Sequence, residues 1–558
     1  GNKFYECGTT GGGLATVVVE TIAVVVGHKI CDNEFYNCGG TTDTASAGTV
    51  QCMFGSTGGT SVTSAMFNNN LFADCGGCAI LIADRAAGNS VWTIRGLTVS
   101  GNQIRNQTND AISIGLAAYS SASQITVCDN VVDTVLGAAS DMGITVRGPN
   151  ATDTLSEIVV SHNSIRNTGD GAGVCPGSIY MYIPRSVSNM QLDGNMVTGS
   201  GANCAAQVYV FLGGSWTGGS VSSNVLSNNA GSHGVSVHCA ASIAGVTGLL
   251  NVAVCGNTIT APGGAGISIY GADNTSTPMY HSLTVDGNTI KGAGGSGIYV
   301  AAFTGTAVQG LSVSKNMIYN AGVTGIVFEF GGATDFQGLE FVGNTVNTTV
   351  AGAGISVQDN SVTTNVISGL NISGNNLTDL YTYGIFVGKI VGGGTRSFHD
   401  LVVSGNTVKS WSNDVGLDYY GGFHIHCEDI LSFTLANNVM FGAQTRAIGY
   451  YLETNGTSNA VAITGNVASL QDALTSESMR CVSGAANQRG YTITGNSFRG
   501  AAIGVNVAAS SFAPQHSTVA YNSEKTTGAA AGNWSVFVGV FTNSIVVNPA
   551  VGAAINQD

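Results

Sequence analysis

The chain has 558 residues, only 9% of them charged, and a formal net charge of −14. That balance argues against nucleic acid or an anionic membrane surface as a partner. No apolar run reaches membrane-spanning length either, since the nearest, Val17–Val26, carries Glu20 and Thr21.

The sequence opens at Gly1-Asn2, already inside a repeat. A segment upstream, such as a particle anchor or an export leader, is therefore expected. With 80 glycines the chain would read as disordered, but 44% of its residues are hydrophobic and they recur with a period.

An asparagine marks the repeat. It recurs at Asn2, Asn33, Asn70, Asn102, Asn130, Asn163, Asn195, Asn224 and Asn257, then at Asn288, Asn316, Asn344, Asn375, Asn406, Asn438, Asn466, Asn496 and Asn522. The mean period is 30.6 residues (520 residues in 17 intervals). Three positions before the marker stand apolar residues such as Phe67, Val99, Val160 and Val285. Two after it stand others such as Phe35, Phe72, Ile104 and Ile290.

The clearest copy, LTVDGNTIKGAGGSGIYV at 283–300, reads as three short strands with period-two alternation and Gly/Asn corners. Three strands in about 30 residues are too few for a propeller blade and suit one coil of a solenoid. Asparagine fits the corner as a residue that tolerates the left-handed conformation. Stacked copies can also hydrogen-bond from coil to coil.

The G-I-x-V, then L-x-V-x-G-N-x-I arrangement resembles the right-handed parallel β-helix family of pectate lyases, polygalacturonases and bacteriophage tailspike depolymerases. The expected fold is all-β, a right-handed single-stranded parallel β-helix of about 17–18 coils over residues 1–523. Residues 524–558 form a cap or oligomerisation segment, with a hairpin over Trp534–Val547. The tailspike resemblance implies a homotrimer, a phage baseplate or tail joined through an upstream segment, and a bacterial surface polysaccharide as partner.

Thirteen cysteines fall partly in columns: Cys7, Cys38 and Cys75 five after a marker, and Cys31, Cys128 and Cys255 two before one. They read as free thiols used in packing. Free thiols point to assembly in a reducing bacterial cytoplasm and a virion location, with secretion as the alternative. Cys75-Gly-Gly-Cys78 lacks a second ligand pair, so no metal or other cofactor is expected.

In G-I-x-V, the Ile and Val face the interior, and the residue between them and the one after Val face out. In chain order, the outward positions carry Arg147, Tyr180, Tyr182, Tyr209, His238, Tyr270, Tyr299, Glu329, Gln358, His424, His426, Tyr451 and Glu453. Tyrosines with polar tips suit sugar rings, so Tyr180, Tyr182, Tyr209, His238, Tyr270, Tyr299, Gln358 and Arg147 are the substrate-binding candidates. Tyr also has high strand propensity, and the tyrosines may be read simply as packing residues.

Glu329, flanked by Phe328 and Phe330, is the candidate general acid, in a setting expected to raise its pKa. Asp359, Asp335 and Asp273 are candidate partners for glycoside hydrolysis. A second cluster of Asp414, Asp418, Tyr419, Tyr420, His424, His426, Glu428 and Asp429 offers a general base, with His426 and Asp418 foremost, or a metal ligand set. A β-eliminating lyase using Arg147, His238 and Tyr270, and a non-enzymatic glycan-binding fibre, remain open readings.

Overall fold

In the computed structural model all regular elements among the described residues are β-strands. The described residues are 1–7, 17–21, 25–38, 48–54, 61–84, 93–116, 121–135, 142–148, 154–169, 175–239, 248–271, 279–302, 307–330, 336–359, 365–389, 396–411, 421–443, 448–470, 477–483, 488–499, 503–507, 518–520, 523–525 and 545–546. The chain divides into two compact units, Gly1–Gly294 and Gly295–Asp558.

Each coil gives three strands to three parallel sheets. In the first unit, Thr93–Ser100 precedes the asparagine corner, Gln103–Gln107 follows it, and Ile112–Gly115 is the Gly-Ile strand. Each pairs in parallel with its equivalent one coil on. The second unit repeats the pattern in Phe336–Val342, Thr345–Thr349 and Ile355–Asp359. Eighteen described strands follow an asparagine corner, in keeping with the expected coil number. The fold is a parallel β-helix. The hairpin expected over 534–547 lies outside the described residues apart from Ile545–Val546, which pairs in parallel with Thr518–Val519.

The corner asparagines are not themselves left-handed. Positive φ falls on the residue before every marker from Asn33 to Asn496, such as Asp129, His162, Gly194, Ser223 and Lys315. It also falls six before the marker, at residues such as Gln124, Glu157 and Asn189, and four after it, at Thr134, Asn167 and Gly199. Left-handed residues five apart thus bend the chain at three fixed places in a coil. Glycine, Asn and Asp fill many of these places because they adopt that conformation at least cost.

What selects asparagine at the marker is its carboxamide, which points inward and is buried. Asn195 uses all four of its bonding sites. Its Oδ1 accepts from the backbone N–H and the Nδ2 of Asn163 (3.1 and 2.9 Å), while its Nδ2 donates to Val160 O and Asn224 Oδ1 (2.8 and 3.0 Å). The same bonds recur coil after coil, from Asn33 to Asn70 in the first unit and from Asn375 to Asn406 in the second. The expected coil-to-coil bonding is present.

The apolar columns fill the space between the sheets. Phe67, Val99, Val160 and Val285 before the corner, and Phe35, Phe72, Ile104 and Ile290 after it, are buried. In-register stacking places like on like: the rings of Phe4, Phe35 and Phe72 stack at 4.8 Å intervals.

The cysteines need one correction. Cys175 and Cys204 sit directly opposite on adjacent Gly-Ile strands, with Cα atoms 4.4 Å apart, and form a disulfide. Parallel register brought them within bridging range. The other eleven are thiols outside any disulfide. Burial pushes the thiols of Cys52, Cys239 and Cys481 up to about 12.

Replacing Asn195 with Ala leaves the Asn163 N–H and Val160 C=O without that partner in a dry interior. The expected loss is about 3 kcal/mol, read as a lowered urea midpoint. Asn195→Asp, which keeps the acceptor oxygen but replaces the donating NH2 with a second acceptor, is expected to fare no better.

Candidate functional site

The outer face of the Gly-Ile sheet carries the residues singled out by sequence. Ile144, Val146, Ile179, Met181, Val208 and Val210 are buried on the inner face, so alternation sends their neighbours out. In the first unit the register aligns Arg147, Tyr182, Phe211, His238 and Tyr270 in one file. Thr145, Tyr180, Tyr209, Ser236 and Ser268 form a second file beside it.

Parallel strands about 4.8 Å apart force these rings together. Tyr182 stacks on Phe211 at 5.1 Å, Tyr180 on Tyr209 at 5.6 Å, and His238 on Tyr270 at 4.3 Å. Phe211 meets His238 edge-on at 5.1 Å. Phe211 belongs to this wall although it has no polar tip, and its outward position in the repeat was the signal for it. The tyrosines are half-buried and their ring faces largely cover one another, so the wall turns ring edges and polar tips outward.

Tyr209 Oη and His238 Nδ1 lie 3.1 Å apart. Burial raises the Tyr180 phenol to about 12 despite the opposing pull of Arg147, and raises Tyr209 further. Burial also holds His238 below its ordinary value. At neutral pH Tyr180 and Tyr209 are therefore protonated phenols and His238 a neutral imidazole, groups able to donate and accept hydrogen bonds. Arg147 is exposed and three strands from His238, roughly 14 Å at the strand spacing. The fold thus brings His238 and Tyr270 together but leaves Arg147 apart.

In the second unit, Tyr299 Oη donates to Glu329 Oε2 at 2.8 Å. Gln358 stands opposite Glu329 in the next strand, and its Nε2 donates to Ser356 Oγ at 2.6 Å. Phe328 and Phe330 do not line the carboxylate: both are buried on the inner side of the strand while Glu329 is half-buried on the outer. Strand alternation separates them.

The backbone of Asp359 aligns with Phe330 rather than with Glu329. The Asp359 side chain and residues Asp273, Asp335, Asp414, Asp418, Tyr419 and Tyr420 lie outside the described residues. Further along the unit, His426 continues the file of Glu329, Gln358 and Gly388, and Glu453 stands next to it. His424 occupies the adjacent file opposite Tyr451 and is buried.

No family model matches the chain, and no curated protein does. Among solved structures, the chain is similar to the A-module of the mannuronan C-5 epimerase AlgE6 of Azotobacter vinelandii, at 10% identity, covering 88% of this chain and 91% of that one with a TM-score of 0.23. It is also similar to the PL6 family alginate lyase AlyGC, at 9% identity, covering 95% of this chain and 97% of that one with a TM-score of 0.16. At such scores neither likeness bears on activity, and the fold rests on the strand pairing itself.

His238 has a depressed folded-state pKa, so the unfolded chain takes up its proton first as pH falls. Its stabilising contribution is present above about 6.5 and declines as pH drops below that value. His238→Phe, which keeps a ring in the stack beside Tyr209 and Tyr270, is expected to flatten the fall of the thermal midpoint between pH 7 and pH 5.

Proposed function

We propose that this chain is a phage tailspike-like receptor-binding protein that holds a bacterial surface polysaccharide on the aromatic wall of its first unit and cuts it. The observation that carries the reading is the wall itself: Tyr180, Tyr182, Tyr209, His238 and Tyr270 stand in two adjoining files, rings locked by stacking and polar tips at the rim. A rigid rim of phenol and imidazole groups meets sugar hydroxyls without paying to order flexible side chains. Its neutrality, on a protein of net charge −14, suits a neutral or weakly charged glycan better than a dense polyanion.

Cleavage by hydrolysis takes Glu329 in its protonated form as proton donor from Oε1, with Tyr299 donating to Oε2, and Asp335 or Asp359 of the same unit supplying the ionised carboxylate. Elimination takes neutral His238 as base and Tyr209 as acid, but the distance of Arg147 deprives a uronate of the cation expected to neutralise it. Hydrolysis is therefore the preferred chemistry. The trimer and the virion location belong to the same reading.

The test is a panel of capsules, exopolysaccharides and O-antigens incubated with the protein, scored for binding and for product length. At least one glycan is expected to bind and shorten, with no absorbance rise at the unsaturated-uronate band. Tyr209→Ala is expected to weaken binding tenfold or more, and Glu329→Gln to slow cleavage at least a hundredfold while binding persists. Equal binding by Tyr209→Ala removes the wall from the account, and full cleavage by Glu329→Gln removes the acid. Sedimentation of the full-length protein as a monomer removes the trimer.

A further inference from the structure

The second unit gathers His424, His426 and Glu453 on the outer face of its Gly-Ile sheet. The two histidines alternate along strand Gly421–Cys427, so both point the same way. The following strand, Ile448–Thr454, sets Tyr451 opposite His424 and Glu453 opposite His426. One ligand atom from each of the three residues lies within 4.8 Å of the others.

His424 is the anomaly. It is only 7% exposed, packed against the rings of Tyr383, Phe386 and Tyr451 at 5.3, 5.3 and 4.5 Å, and neither ring nitrogen has a hydrogen-bond partner among the described residues. A buried polar atom left unmet forfeits the hydrogen bonds it makes with water in the unfolded chain, so native structures rarely keep one without reason. Beside it, His426 Nε2 and Glu453 Oε1 stand 4.0 Å apart, too far for a hydrogen bond. The other oxygen of Glu453 is already engaged, accepting from Tyr451 Oη at 3.0 Å. That bond fixes the carboxylate as an outer-sphere partner orients a metal ligand.

We propose that His424, His426 and Glu453 bind one divalent first-row transition-metal ion of the zinc class, with solvent completing the coordination. Two imidazoles and a carboxylate are a donor set such ions favour, and a set of three protein ligands keeps a position open. Ligand atoms stand about 3.4 Å apart across a tetrahedral zinc ion. Binding draws the ligand atoms in from their present spread of up to 4.8 Å. The ion takes up a nitrogen lone pair of His424 that no described residue uses.

The test uses the untagged full-length chain, stripped with chelator, dialysed against zinc, and assayed for bound metal. About one zinc per chain is expected. His424→Phe and Glu453→Gln are each expected to weaken zinc binding at least tenfold, and cobalt substitution is expected to give visible absorption bands that both variants lose. Circular dichroism and the urea midpoint of apo Glu453→Gln, compared with the apo wild type, separate lost ligation from lost folding. Failure of the wild type to hold zinc stoichiometrically overturns the proposal, as does a folded Glu453→Gln that binds as tightly as wild type.

Discussion

The buried asparagine carboxamide is the constraint on which everything else depends. Each one bonds to its counterparts in the adjoining coils and to backbone between them, so no coil can slip without orphaning several buried polar groups. A slip of one residue along a strand would also turn every side chain to the opposite face. Fixing the corner therefore fixes which residues face out and which of them sit one above another. The aromatic wall and the histidine–glutamate cluster are both products of that register.

The periodic features were legible because they repeat. The asparagine spacing, the two apolar columns and the G-I-x-V alternation were each read many times over, and the coils follow them. Of the two reasons given for asparagine, coil-to-coil bonding holds and the left-handed turn does not, because it belongs to the preceding residue. Asp129, His162, Gly194 and Lys315 at that place share little but their backbone shape, so the column carries a weak chemical signature. Facts that depend on a single pair of neighbours were harder to see. The Cys175–Cys204 bridge joins residues 29 apart in sequence, and Phe211 drew no notice because its value lies in whom it stacks upon. Glu329 was given an apolar setting from its sequence neighbours, yet in a strand those neighbours occupy the other face. The candidate acids Asp273, Asp335 and Asp418 lie outside the described residues.

The two outer faces show how one scaffold separates chemistries. In the first unit, stacking covers the ring faces, burial keeps the phenols protonated and the imidazole neutral, and polar edges are what remains. In the second, the same register lines up Glu329, Gln358, His426 and Glu453, a file of acceptors and ligands. The distinction lies in the side chain each coil places at one position. A coil can therefore change its chemistry with a single substitution while its neighbours hold the backbone in place.

The orientation of the asparagine amides is itself determined: each oxygen meets a backbone N–H and each nitrogen a backbone carbonyl, so neither can be flipped. From Asn2 to Asn288, and again from Asn316 to Asn496, the amides run head to tail in one sense. Their dipoles add, with the negative end at the earliest coil of each run, the reverse of an α-helix. The interior thus acts as an electret, and neighbouring amides polarise one another so that inner rungs bind more firmly than end ones.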